Sequence, residues 1–310
     1  MRIGIVIGLH GSASGAPGWP HIRDQAIAAE RARFDLAVIE DALLYRDDDG
    51  VIGYWESVSM AGAMCAVTSR IEIGHSVINA PYRSAGLTAK IAETLDEVSD
   101  GRFFLGIGLG NTLDYDQFGF RADKRYSRFA ETIEIVHGLL RTGRANFDGE
   151  HQFARSAELV LRGPRAKGPP IVIAARGPKM MRLTARFADG WNWWTSGAPD
   201  LDELRSIVEE VDRACEEVGR DPETLARSLD VYSFDPLGTY DGPRAVISGT
   251  GDEIAEQLLR FAAIGFDEIR CNLVAQAAWD NQPRAIEALA DVVERVHQTA
   301  GRLVPLPLGS

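Results

Sequence analysis

The chain has 310 residues, 45% apolar and 25% charged, which is globular composition with ample material for a core. Its net charge of −12 excludes a general nucleic-acid binder, which needs a basic face. No run of 18 apolar residues occurs, so no membrane span is expected.

The opening MRIGIVIGLHGS lacks the long apolar segment and cleavage pattern of a signal peptide, and predicts a first strand over Ile3–Leu9. Helical spacing follows over Pro20–Arg33, with Pro20 in the first turn. Strands are predicted at Leu36–Ile39, Ile71–Val77 and Phe103–Leu109, alternating with helices at Trp55–Ser69, Ser84–Val98 and Lys124–Arg141. The polar run 111–116 after the fourth strand reads as non-helical. The alternation then pauses. Ala145–Leu161 has hairpin character around Asp148-Gly149, and Gly163–Pro170 is a Pro/Gly/basic connector. It resumes with strands Ile171–Ala175, Gly190–Trp194, Ser228–Phe234 and Asp267–Val274, and helices Lys179–Ala188, Leu201–Val218, Asp252–Ile264 and Pro283–Thr299. Eight strand–helix units in one chain predict an α/β fold, a (β/α)8 TIM barrel over residues 1–310, with one insertion after the fourth helix at about 143–169. An open doubly wound sheet would want a G-x-G-x-x-G turn, and neither GLHGSASGAPG nor GRFFLGIGLGN has that spacing.

Function in such a barrel sits where strands end. The first end gives His10, and the second gives Glu40 and Asp41, adjacent carboxylates able to orient a substrate or handle a proton. The third gives Ser76, Val77 and Asn79. The fourth, with glycines at 106, 108 and 110, offers bare backbone on which a flat ring could lie, beside Asn111 as a hydrogen-bonding group. The fifth, Arg176-Gly177-Pro178-Lys179-Met180, puts two cations at a Pro-started helix, an anion site. The later ends give Asn192, Asp235, Gln276 and Trp279. Trp19, Trp193, Trp194 and Trp279 fall near loop ends, as an aromatic pocket would need. Cys65, Cys215 and Cys271 have no metal-like spacing and read as buried thiols of a cytoplasmic protein. No H-E-x-x-H, Cys/His cluster or G-x-S-x-G occurs, so no metal site is expected.

Five stretches in order (FDLAVIEDALLYRD, WESVSMAGAMCAVTSRIEIGHSV, AKIAETLDEVSDGRFFLGIGLGN, FGFRADKRYSRFAETIEIVHGLL and PPIVIAARGPKMMRLTARFADGWN) together resemble the bacterial luciferase-like family of flavin-dependent oxidoreductases. The resemblance implies FMN or the deazaflavin coenzyme F420 at the strand C-terminal ends. It implies a non-prolyl cis peptide at Ser76-Val77 against the ring, and a phosphate loop at Arg176–Met180. Many deazaflavin-using relatives carry Asp-His after the second strand; here the match is Asp41-Ala42, so the usual proton-handling histidine is missing. Monooxygenation with reduced FMN and hydride transfer with F420 both stay open, on a small organic substrate. A separate flavin reductase and a homodimer are the partners such an enzyme would have. The competing readings are a non-catalytic flavin-binding barrel and a metal-free barrel hydrolase or lyase using Glu40 or Asp41.

Overall fold

The computed structural model describes residues 1–12, 15–47, 50–195, 199–242, 245–274 and 282–300. Eight parallel strands form a closed ring: β1 (Arg2–Val6), β2 (Leu36–Ile39), β3 (Glu72–His75), β4 (Phe103–Gly108), β5 (Ile171–Ala174), β6 (Gly190–Thr195), β7 (Ala226–Phe234) and β8 (Glu268–Leu273). Each pairs with the next in the chain, and β8 pairs with β1, so the sheet has no edge. The helices are α1 (Trp19–Arg31), α2 (Ser57–Val67), α3 (Ala85–Val98), α4 (Arg125–Thr142), α5 (Pro178–Phe187), α6 (Leu201–Glu217) and α7 (Gly251–Ala262). The predicted eighth helix is divided into α8 (Gln282–Ala288) and α9 (Ala290–Ala300).

Strand side chains alternate between two cores. Ile3, Ile5, Ala37, Ile39, Phe103, Leu105 and Ile107 join the helices in the outer core. Val6, Leu36, Val38, Phe104 and Val172 form a separate cluster in the lumen. Gly74 makes room for the Phe104 ring, because a Cβ at Gly74 would lie 2.2 Å from it. At the N-terminal end of the lumen Arg2 meets Glu72 at 2.6 Å and Glu268 at 3.2 Å. The lumen is therefore apolar in the middle and charged below.

Three features add to the barrel, and the first two differ from the sequence expectation. The first predicted strand stops at Val6, and His10–Ser12 instead joins a small antiparallel sheet with Leu44–Asp47 and Gly50–Tyr54. A one-turn helix, Tyr115–Phe118, lies where the polar run was read as non-helical. The hairpin Arg144–Asp148/Phe153–Glu158 falls within the interval expected for an insertion. It is tied to α4 by Glu131, whose carboxylate accepts the N–H groups of Glu150, His151 and Gln152.

Candidate active site

The pairing of β3 with β4 slips by one residue: Gly74 faces Phe104, but Ile78 faces Ile107. The extra residue makes a bulge at Ser76-Val77, and the peptide bond between them is cis, as the resemblance implied. The glycines of β4 answer to this bulge. A Cβ on Gly106 would lie 1.7 Å from the His75 carbonyl oxygen, one on Gly108 2.8 Å from Val77 Cγ2, and one on Gly110 2.1 Å from Asn79 Cγ. Val77 and Asn79 thus pack against the Gly108 and Gly110 positions on which a ring was expected. The face offered to the mouth belongs to the bulge.

Other expected site residues are committed to protein partners. Asn79 is buried; its N–H donates to Asp41 Oδ2 at 2.9 Å, and its Oδ1 accepts from Tyr115 Oη at 2.6 Å. The Asn111 side chain accepts from the Leu113 N–H in a local turn. Asp41 is buried in the barrel wall. Its carboxylate accepts from Ser57 Oγ at 2.6 Å and Asn79 N, and is gripped by Arg83 through Nη1 at 2.6 Å and Nη2 at 3.2 Å. Both oxygens are engaged, and the carboxylate ties the start of α2 to the segment after β3.

Above the apolar cluster the lumen becomes polar. Ser76 Oγ donates to Asp230 Oδ2 at 2.5 Å and accepts from Arg270 Nη1 at 3.1 Å. Asn192 Nδ2 donates to Asp230 Oδ1 at 3.0 Å, and Arg270 Nε donates to Glu268 Oε1 at 2.7 Å. Arg270 is fully buried with its guanidinium 5.3 Å from the Phe104 ring centre. Burial pushes the Asp230 carboxyl above its ordinary range, against the pull of Arg270, Ser76 and Asn192.

Glu40, continuing the inward row Leu36–Val38, reaches the next layer. Its Oε1 accepts from Tyr232 Oη at 3.0 Å, across the lumen from β7. Burial raises the Glu40 carboxyl; the Tyr232 hydrogen bond opposes the rise and Asp230 adds to it. Tyr232 packs edge-on to Trp194, which is 57% exposed and so marks the open mouth. His10 tilts against Tyr54 with ring centres 5.4 Å apart, and burial lowers its pKa, which favours the neutral ring. Glu40 and His10 thus come to the mouth, whereas Asp41 does not. Asp230, Tyr232 and Arg270 were not singled out from sequence. Their signal is the period-two polar row in the strands: Ser228, Asp230, Tyr232 on β7 and Glu268, Arg270, Asn272 on β8.

At the fifth strand end, Gly177 adopts φ +80°, a left-handed value that only glycine takes at no cost, and open space surrounds its would-be Cβ. The ten-residue α5 begins at Pro178 without a side-chain cap. Its first internal bond is from Met181 N to Gly177 O, so the Lys179 and Met180 N–H groups precede the ladder. Arg176 and Lys179 are exposed beside them. Arg176 lies over Trp193 at 5.3 Å and Lys179 over Tyr126 at 5.7 Å, while the Met180 side chain is in the core. Free N–H groups, a helix dipole and two cations suit an anion such as a phosphate. The eighth-end residues Gln276 and Trp279 lie outside the described residues. Among the described residues no group of three or more His, Cys, Asp or Glu could hold a metal, and no helix is long and apolar enough to cross a membrane.

Comparison with known proteins bears on the fold and the family. The F420-dependent glucose-6-phosphate dehydrogenase of Nakamurella multipartita is 32% identical over 212 residues, covering 65% of this chain and 61% of the relative. The F420-dependent hydroxymycolic acid dehydrogenase of Mycobacterium tuberculosis is 32% identical over 215 residues, covering 67% and 57%. The chain thus spans about three-fifths of the length of these relatives. Among solved structures, an F420-dependent secondary alcohol dehydrogenase in complex with an F420-acetone adduct superposes with a TM-score of 0.78 at 17% identity, covering 95% of this chain and 98% of that one. Monooxygenase RslO1 from Streptomyces bottropensis superposes at 0.77 and 17%, covering 95% and 99%. These two share the fold. The model of the luciferase-like monooxygenase family matches residues 1–234, and the chain belongs to that family.

Proposed function

We propose that the protein is an F420-dependent oxidoreductase that moves a hydride between the coenzyme and a small alcohol or carbonyl compound. The observation that carries the proposal is the pairing of the Ser76-Val77 bulge with an uncapped, cationic α5 N-terminus at one end of one barrel. The F420-dependent relatives support the choice of coenzyme. The bulge would back the ring, and Arg176, Lys179 and the N–H groups after Pro178 would hold the phosphate. When bound, the coenzyme supplies hydride chemistry, and the protein orients the reactants and excludes water. Trp193, Trp194 and Tyr232 would wall an apolar substrate pocket. Glu40 is the carboxyl placed to handle the proton, with neutral His10 and Tyr54 bordering it. Asp41 would act by holding the segment that follows the bulge.

A second reading, monooxygenation with reduced FMN, is favoured by the family description and by the fold shared with RslO1. It would require a separate flavin reductase. A homodimer remains the oligomeric state this reading expects. Fluorescence titration of the full chain with F420 and with FMN, oxidised and reduced, tests the reading. Tight binding of F420 supports it. Binding of FMN alone favours the second reading, and binding of neither rejects both.

A further inference from the structure

We propose that Tyr232 is a catalytic residue of this site: its phenol meets the substrate oxygen at the mouth, with Glu40 behind it as the proton reservoir. The proposal rests on the hydride-transfer reading above. Three features of geometry carry it. Tyr232 and Glu40 come from strands three places apart, β7 and β2, and meet across the lumen at 3.0 Å. One side of the phenol is walled by the exposed Trp194, so it stands between buried lumen and open mouth. Directly after Tyr232 the β7–β8 pairing slips, and Ser233 takes φ +77°, an uncommon value for serine. Such a local irregularity re-aims the neighbouring side chain, and Tyr232 is that neighbour.

The chemistry follows from two oxygens sharing one hydrogen bond. With Glu40 ionised, the phenol O–H donates to it. With Glu40 protonated, the carboxylic O–H can donate to the phenol oxygen, which frees the phenol hydrogen for the mouth. In carbonyl reduction the coenzyme, when bound, would supply the hydride for the new C–H bond. The Tyr232 proton goes to the carbonyl oxygen, the Glu40 proton replaces it on the phenol, and Glu40 is left ionised until solvent reprotonates it. Alcohol oxidation runs the same transfers backwards. The groups facing the couple are Asp230 beneath it, with Arg270 beyond, and Tyr54 with His10 at the side. Asp230 and burial favour the protonated carboxyl, and the Tyr232 hydrogen bond favours the ionised one.

Infrared pH-difference spectroscopy of the full chain without coenzyme reads the couple directly. A carboxylic-acid band should titrate above the ordinary glutamate range and be lost in Glu40→Gln. Tyr232→Phe removes the bond that favours the ionised form, so it should move that band to still higher pH. The parent-minus-Glu40→Gln difference separates this band from that of Asp230; no band lost in Glu40→Gln, or a lost band that Tyr232→Phe does not move, overturns the proposal. Reoxidation of reduced F420 by a panel of small ketones reads the role. Tyr232→Phe should slow turnover by about a hundredfold, within the usual range for an acid–base group, with F420 affinity unchanged. Unchanged turnover, or lost F420 binding with the band intact, also overturns it. Failure of the parent protein to bind F420 would remove the coenzyme reading and leave the infrared result standing by itself.

Discussion

The Ser76 hydroxyl donates to Asp230 Oδ2 at 2.5 Å, although β3 and β7 stand opposite each other in the ring of eight strands. The bulge is thereby pinned from across the lumen, and Arg270 completes the pin by donating to Ser76 Oγ. Ser76→Ala should leave the barrel folded but strip both bonds and leave Asp230 partly unsatisfied, at a cost of about 1–3 kcal/mol. Coenzyme affinity should fall with it, because the ring's backing is no longer held. Thermal melts and F420 titration of the variant check both effects. An unchanged affinity would mean that the main chain alone sets the bulge.

The glycines of β4 rank by what their missing side chains would strike. At Gly106 the obstacle is the His75 main-chain carbonyl; at Gly108 it is the end of the Val77 side chain. Gly106→Ala should therefore impair folding severely. Gly108→Ala should fold, displace Val77 and weaken coenzyme binding. Soluble yield and melting temperature of the pair give the order. The reverse order would contradict the bulge geometry.

Asp41 should behave as a structural carboxylate. Its side chain is 1% exposed and its Arg83 partner 11%, so neutralising it leaves a largely buried cation with only the more exposed Glu56, at 2.7 Å, as its counter-ion. Asp41→Asn should cost about 3 kcal/mol or more in stability, measured by urea unfolding. Near-normal stability with lost turnover would return Asp41 to the chemistry.

His75 predicts an acid limb in stability. Burial is the main cause that lowers its pKa to about 4, so the folded protein keeps the ring neutral where the unfolded chain would protonate it. The contribution is complete above the unfolded value of about 6.5. It falls as pH drops from there towards the folded value of about 4. The slope is at most about 1.4 kcal/mol per pH unit for one proton. His75→Phe, packed against Phe103, should flatten that part of the profile. Urea unfolding across the range tests this, and an unaltered slope would assign the limb to other groups.

Much of the architecture was legible because a buried parallel barrel writes its strands as short apolar runs between helical periods. The fifth strand end was legible for a local reason: Arg-Gly-Pro-Lys specifies a glycine-only turn, a Pro start and two cations within four residues. The small sheet His10–Ser12/Leu44–Asp47/Gly50–Tyr54 was not, because it is short, part-exposed and held by pairing between distant segments. The close neighbours of Gly106, Gly108 and Gly110 were not legible, because they are His75, Val77 and Asn79, about thirty residues earlier, and only tertiary pairing reveals them. Asp41 and Glu40 are adjacent and chemically alike, yet strand alternation sends one into the wall and the other into the lumen. Tyr232 and Asp230 went unnoticed because an alternating polar row also describes an ordinary exposed strand face.

The central claim, that a phosphorylated coenzyme lies across the mouth with its phosphate at the start of α5, is tested most directly by one set of titrations. F420 and its phosphate-free ring fragment are titrated against the parent and Arg176→Ala. Each charge-assisted hydrogen bond to the phosphate is worth roughly 1.5–3 kcal/mol. The substitution should therefore weaken F420 by about one to two powers of ten, at roughly 1.4 kcal/mol per tenfold. The fragment should bind both proteins alike, and F420 binding should not vanish, because the Lys179 and Met180 N–H groups remain. Equal losses for F420 and the fragment would contradict the account. They would mean that Arg176, stacked on Trp193, shapes the wall of the mouth and does not read the anion.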